Sequence, residues 1–268
     1  MRFVRKVAWA MLAVIVLASL GAGVWAPANY ATQFREVPNA PPSYQHWLGT
    51  DEVGRDRFSR VLYGTRISLL LAPAAALLST LLATLVGGIA GYLGGHWERV
   101  AMSATDLFLS MPWLFLLLVV RGMLPLNVSP LTSVAVTFLL LGMLGWAASA
   151  RVLCAGARDV RNSDFVLQAR ASGVHGFRLL ALHVVPNLKP VLQAQFWISI
   201  PVFIISEANL GILGLGVSEP LPSWGSLLRE LESFASLGFE PWKLAPLCLL
   251  VLVVSSFQVI LSRNEVFA

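Results

Sequence analysis

Six apolar runs constrain this chain before anything else, at about 7–25, 67–92, 100–120, 131–153, 191–213 and 244–261. A helix crosses a bilayer with about 20 mostly apolar residues. In hydrocarbon the backbone must close its own hydrogen bonds. Runs of this length therefore predict an all-α polytopic membrane protein with about six transmembrane helices. Only 12% of residues are charged and 57% are hydrophobic, whereas a soluble domain keeps roughly a quarter charged. Lipid is the solvent that such a surface needs.

Charge placement orients the spans. If they alternate, Arg2, Arg5, Lys6, Arg99, Arg151, Arg158, Arg161, Arg170, Arg178, Lys189 and Arg263 share one side. The positive-inside rule makes that side cytoplasmic and puts both termini there. Arg35, Arg55, Arg57, Arg60 and Arg66, in the first outer loop, run against the rule, with Glu36, Asp51, Glu52 and Asp56 nearby. The first run follows basic residues as a signal peptide does, but it is long for one. Pro27 follows its only small-residue site, Ala26, so an uncleaved first span is expected. The net charge of +5 then serves orientation. No zinc knuckle or aromatic–basic platform points to nucleic acid. Cys154 and Cys248 lack CxxC spacing and read as small apolar residues.

Small residues punctuate the runs. Gly87 and Gly91 form a GxxxG, and Gly211, Gly214 and Gly216 mark the end of the fifth span. Such positions let helix backbones approach closely in lipid. Pro73, Pro112 and Pro201 are candidate kinks.

Three segments between spans carry pattern. In 46–56, Asp56 is placed to cap a helix from Arg57. Phe58, Val61 and Leu62 would form its apolar face, Arg57 and Arg60 would lie elsewhere, and Gly64 would end it at the membrane surface. The acidic residues there lack EF-hand spacing, so no metal site is expected. In 220–225, Trp224 suits an interface. Leu227, Leu228, Leu231 and Phe234 then follow at helical spacing as a second surface helix. This stretch reads either as a docking surface or as a re-entry turn. In 155–189, Phe165 to Ser172 reads as a helix, Gly173 as a turn, and Phe177 to Leu182 as a second short helix. That hairpin is too polar to cross lipid and too apolar to float free. It fits either a protein groove or the bilayer interface.

Several ordered motifs resemble the permease subunits of bacterial ABC importers, in the dipeptide and oligopeptide branch. Leu48-Gly49-Thr50-Asp51-Glu52-Val53-Gly54-Arg55-Asp56 is similar to the LGTDxxGRD sequence of the C-type peptide permease. Ser59 to Leu69, Glu207-Ala208-Asn209-Leu210, Leu213 to Val217 and Pro222-Ser223-Trp224-Gly225 continue the likeness. The inner loop resembles the EAA motif, from Leu167 through Gly173 to Pro186. Leu167 stands where that motif has its glutamate and Gln168 where it has its first alanine, while Ala169, Arg170, Ala171 and Gly173 match. The loop 121–130 and the tail are short.

The resemblance implies a type I permease fold, with an N-terminal helix and extracytoplasmic segment in 1–65 and the permease domain in 66–268. It also implies a homologous second permease, two ABC ATPases and an extracytoplasmic solute-binding protein, all at a bacterial inner membrane. Leu167, Gln168, Ala169, Arg170, Ala171, Ser172 and Gly173 would be the ATPase-coupling element. The chain has no GxxxxGK[ST] loop, so ATP and Mg would sit on the ATPase partners and this chain would hold no cofactor. Asp51, Arg55, Asp56 and Trp224 are candidates for an outer or binding-protein surface. Short peptides are the implied cargo, with nickel or another small solute as the alternative. Against an intramembrane enzyme, neither HExxH nor GxSxG occurs. A scaffold without transport is the third class. Asp106 and Glu207 are ionisable residues in or near spans, hence candidates for a pathway or a permease interface.

Overall fold

The computed structural model describes residues 2–123, 128–232 and 240–262, apart from the side chains of Phe177 and Glu232. Phe234, Arg263 and the centre of the loop 121–130 lie outside the described residues. In chain order the helices are α1 (Arg2–Leu20), α2 (Ala22–Trp25), α3 (Arg57–Ala83), α4 (Ile89–Leu93), α5 (Gly95–Ser110), α6 (Trp113–Met123) and α7 (Pro130–Leu144). They continue as α8 (Ala147–Arg161), α9 (Asp164–Ala171), α10 (Gly176–Leu179), α11 (Val185–Ile212), α12 (Trp224–Arg229) and α13 (Ala245–Leu261). Wider π-helical turns join α3 to α4 (Thr84–Gly88) and α10 to α11 (Leu180–Val184).

Among the described residues, four helical stretches are long and apolar enough to cross a membrane: Arg2–Leu20, Arg57–Leu93, Leu180–Ile212 and Pro241–Leu261. Two bent pairs pass together, which raises the number to six. The α5–α6 pair bends by 77°. Met111, just before Pro112, is extended at φ −85° and ψ 133°, the conformation that a following proline imposes. The α7–α8 pair bends by 41°. Pro73 and Pro201 lie inside continuous helices, and the chain divides into two compact units at those two prolines and within α6 and α7.

The first unit comprises 1–72, 118–138 and 201–263. Here α1 packs along α13, and α12 packs on α13 as well. Its buried residues include Val61, Leu69, Phe203, Ile204, Trp224, Leu227 and Val253. Asp56 caps α3 as expected, its Oδ2 accepting from the Ser59 backbone N–H and hydroxyl, both at 2.7 Å. The expected surface helix is corrected on two points. Gly64 does not end it, because α3 runs unbroken from Arg57 to Ala83 and Gly64 lies against Leu227 and Ser223. Arg57 and Arg60 are buried, because carboxylates from distant segments pair with them. Leu227 and Leu228 are buried too, so α12 is not a surface helix.

The second unit comprises 73–117 and 139–200. The π turn and α4 pack on α8, and the GxxxG is the reason they can. A side chain at Gly87 would fall on the Ala150 carbonyl, and one at Gly91 on the Cys154 carbonyl. Ala83, Ala150 and Leu153 form one buried cluster, and Ala157, Val184 and Leu188 form another. The small residues of the α8 face thus replace bulk with proximity.

Candidate functional site

In the second unit, α9 ends in a Schellman cap. The Val174 N–H donates to the Ala169 carbonyl at 3.0 Å, and the Gly173 N–H to the Arg170 carbonyl at 3.0 Å. This geometry places Gly173 at φ +84°, where glycine is favoured because it has no Cβ. Val166, Ala169 and Leu179 close a small core beneath the hairpin, with Val160 and Val174 against it. Within the hairpin, Ala169 therefore packs into its own chain. Phe165, Leu167, Gln168, Ala171, Ser172 and Gly173 are exposed, and Arg170 is half-buried. The second helix of the hairpin is not a short separate piece. From α10 it passes through the π turn into α11. Asn187 Nδ2 donates to the His183 carbonyl at 2.7 Å where this helix meets Pro186.

The acidic candidate Asp106 lies on α5 and pairs with Arg151 of α8 at 3.3 Å, both about half exposed. Glu98 pairs with Arg158, and the Phe108 and Trp146 rings lie 5.5 Å apart, so α5 and α8 run antiparallel.

In the first unit, Glu207 is fully buried. The Ser68 hydroxyl donates to its Oε2 at 3.3 Å, and Oε1 lies buried against Gly225. Among the described residues, no cation pairs with it. Trp224 is also fully buried. Its Nε1 donates to Thr65 Oγ1 at 3.0 Å and its backbone N–H to Ser68 Oγ at 3.4 Å. Trp224 is thus a core anchor, which corrects its placement on an outer surface.

Asp51 and Asp56 are buried likewise. The His46 ring lies 2.9 Å from Asp56 Oδ1. Asp51 accepts from the Val53 and Arg55 backbone N–H groups at 3.0 and 2.8 Å, and from Arg55 Nε at 2.6 Å. This loop requires Gly54, at φ +80°, because a Cβ there would fall on the Phe34 carbonyl. Arg55 Nη1 and Arg60 Nη2 reach Glu219 at 2.5 and 2.9 Å, and Arg57 Nη1 reaches Glu230 at 2.5 Å. Burial works against the Arg55 charge, but Asp51 and Glu219 overcome it and hold the guanidinium pKa above its ordinary value. Burial likewise pushes the Glu230 carboxyl up, opposed by Arg57 and Arg60. A cavity of about 340 Å³ is lined by Asp51, Glu52, Arg55, Glu219, Arg229 and Glu230 among others.

Of the four outer-surface candidates, only Arg55 keeps part of its side chain open. Sequence reasoning missed Glu219, Ser68 and Arg121. Arg121 is buried, with Nη2 donating to Ser133 Oγ at 3.0 Å and to the Gly216 carbonyl at 3.3 Å. No local spacing signals these partners, since they lie up to 164 residues away from the groups they meet.

Residues 83–264 match the family described as the binding-protein-dependent transport system inner membrane component. The chain belongs to this family. It is a multi-pass inner-membrane permease component. The chain is 32% identical over 234 residues to the oligopeptide transport system permease protein OppC of Bacillus subtilis (strain 168), covering 87% of this chain and 74% of that protein. It is 31% identical over 220 residues to the dipeptide transport system permease protein DppC of the same strain, covering 82% and 67%. It is 30% identical over 236 residues to OppC of Haemophilus influenzae (strain ATCC 51907 / DSM 11121 / KW20 / Rd), covering 87% and 73%.

Proposed function

We propose that this chain is a membrane-spanning permease subunit of an ABC importer for short peptides. The observation that carries this reading is the family match over 83–264, together with relatives whose names specify oligopeptide and dipeptide transport. The α9–α10 hairpin supports a coupling role, because it is rigidly capped and exposes Phe165 and Leu167. Two exposed apolar side chains on a helix too short to bury them itself suit the groove of a separate ATPase.

In this reading 155–189 and both termini are cytoplasmic, and the 26–56 loop and the 213–243 connection are extracytoplasmic. A homologous second permease completes the pathway, two ATPases hold ATP and Mg, and a binding protein delivers the peptide. This chain itself catalyses nothing. The test is uptake of radiolabelled di- to pentapeptides into proteoliposomes holding all the subunits. ATP-dependent uptake that is lost when this chain is omitted is expected. Full uptake without it would refute the assignment.

A further inference from the structure

The exposed side of α5 carries two parallel stripes. His96, Arg99, Ser103, Asp106 and Ser110 form one, and Trp97, Val100, Ala104 and Leu107 form the other, all of them exposed. Each stripe advances by alternating steps of three and four residues, so each holds one line along the helix. The polar line runs for about 21 Å at 1.5 Å per residue. Between the two stripes and α8, Thr105 is buried, and Ala101 and Phe108 are half-buried. Beside the polar stripe, α8 adds Arg151 and Arg158, with exposed Ala148 and Ala155 between and before them. The result is a two-helix polar wall whose charged members are Arg99, Asp106, Arg151 and Arg158, together with partly buried Glu98.

Hydrocarbon cannot cover this wall. Ionised side chains facing lipid are costly, and in membrane helices they turn to a water-filled cavity or to a partner. The neighbouring apolar stripe already gives α5 a face that lipid can cover. The Asp106–Arg151 pair leaves about half of each side chain uncovered by this chain's own atoms, with polar atoms free to meet water or a polar solute. A pair sealed in a protein interface would have to be desolvated at a cost that its mutual attraction barely repays.

We propose that the polar stripe of α5, with Arg151 of α8, lines the aqueous peptide pathway at its cytoplasmic end. The ligand class is a zwitterionic short peptide. Its ammonium group can exchange into the place of Arg151 on Asp106, and its carboxylate into the place of Asp106 on Arg151. This proposal rests on the transport reading above and names the wall that the solute meets.

The test uses the complete transporter in inside-out vesicles, with Cys154→Ala and Cys248→Ala as the parent chain. Single substitutions Ser103→Cys and Ser110→Cys report on the polar stripe, and Ala104→Cys and Leu107→Cys on the apolar one. The probe is a membrane-impermeant cationic thiosulfonate added from the cytoplasmic side. The polar positions should label roughly tenfold faster or more, since the reacting thiolate needs water. Modification of Ser110→Cys should abolish uptake, and saturating tripeptide should slow its labelling. Equal rates on both stripes would mean that the helix lies free at the membrane surface, and the proposal would fall. It would also fall if labelling seen in the isolated chain vanished on adding the second permease, or if labelled transporter kept full uptake. A parent transporter that takes up no peptide at all would instead sink the transport reading on which the proposal stands.

Discussion

Arg60 donates to both carboxylate oxygens of Glu219, at 2.9 and 3.3 Å, although 159 residues separate them. The guanidinium is fully buried while Glu219 stays half exposed. Asp51 at 3.6 Å and Glu230 at 3.7 Å surround the same cation. The segment around the LGTDEVGRD sequence is thereby tied to the connection after α11 within one compact unit. Breaking a buried pair from its cationic side strands several carboxylates, at a cost of about 3–5 kcal/mol. Arg60→Met is therefore expected to lower the thermal midpoint of the detergent-solubilised protein far more than Glu219→Gln. Equal shifts would mean that the exposed partner carries the network.

Glu230 makes the same network pH-dependent. Burial raises its carboxyl pKa in the folded protein, against the pull of Arg57 and Arg60. A raised acid binds more protons folded than unfolded, so stability falls as pH rises. The contribution is fully present below the ordinary glutamate value of 4.5 and is lost as pH passes the raised folded value. Melting curves from pH 4 upward should show this decline, with Glu230→Gln flattening it. A wild-type midpoint that climbs through the same window would contradict the assignment.

Glu207 gives a prediction about function. Its carboxyl is buried, hydrogen-bonded by Ser68, and without a paired cation among the described residues. What the site demands is a hydrogen-bonding group, and Glu207→Gln supplies one. Peptide uptake should survive Glu207→Gln largely intact and drop with Glu207→Leu, which leaves the buried Ser68 hydroxyl without its acceptor at about 1–3 kcal/mol. Near-complete loss in both variants would show that a charge, not a hydrogen bond, is required there.

These contacts also mark where the sequence stops being readable. The spans were legible because hydrophobic length is a local property, and Asp56 was legible as a cap because its target, Ser59, lies three residues on. Gly87 and Gly91 announced a close approach without naming α8 as the partner. The burial of Arg57, Arg60 and Trp224 was not legible, because each is satisfied from elsewhere in the chain: Arg57 by Glu230, Arg60 by Glu219, Trp224 by Thr65. Helical periodicity put the arginines off the apolar face for the same reason. A buried cation and a surface cation have the same pattern until their counter-charge is found. Ala169 is ambiguous for a different reason. Small size suits a partner's groove and the chain's own core equally, and Val166 and Leu179 decided for the core.

The last prediction separates backbone from partner at Gly173. At φ +84°, any side chain pays the left-handed conformational cost, about 1 kcal/mol, whatever its size. Among the described residues, no atom beyond its immediate chain neighbours lies within 4 Å of a Cβ at this position. Gly173→Ala and Gly173→Leu should therefore destabilise the isolated chain to a similar degree, since both pay the same backbone cost and Gly173 is exposed. If an ATPase groove lies over the exposed cap formed by Ala171, Ser172 and Gly173, only Gly173→Leu intrudes on it. The measurement is a pair of thermal midpoints for the isolated variants, set beside co-purification with the ATPases and uptake in proteoliposomes. Matched midpoints are expected, with near-normal assembly for Gly173→Ala and weakened assembly or uncoupled hydrolysis for Gly173→Leu. Matched assembly and uptake in both variants would show that no partner covers this turn, and the coupling role of the hairpin would have to be abandoned.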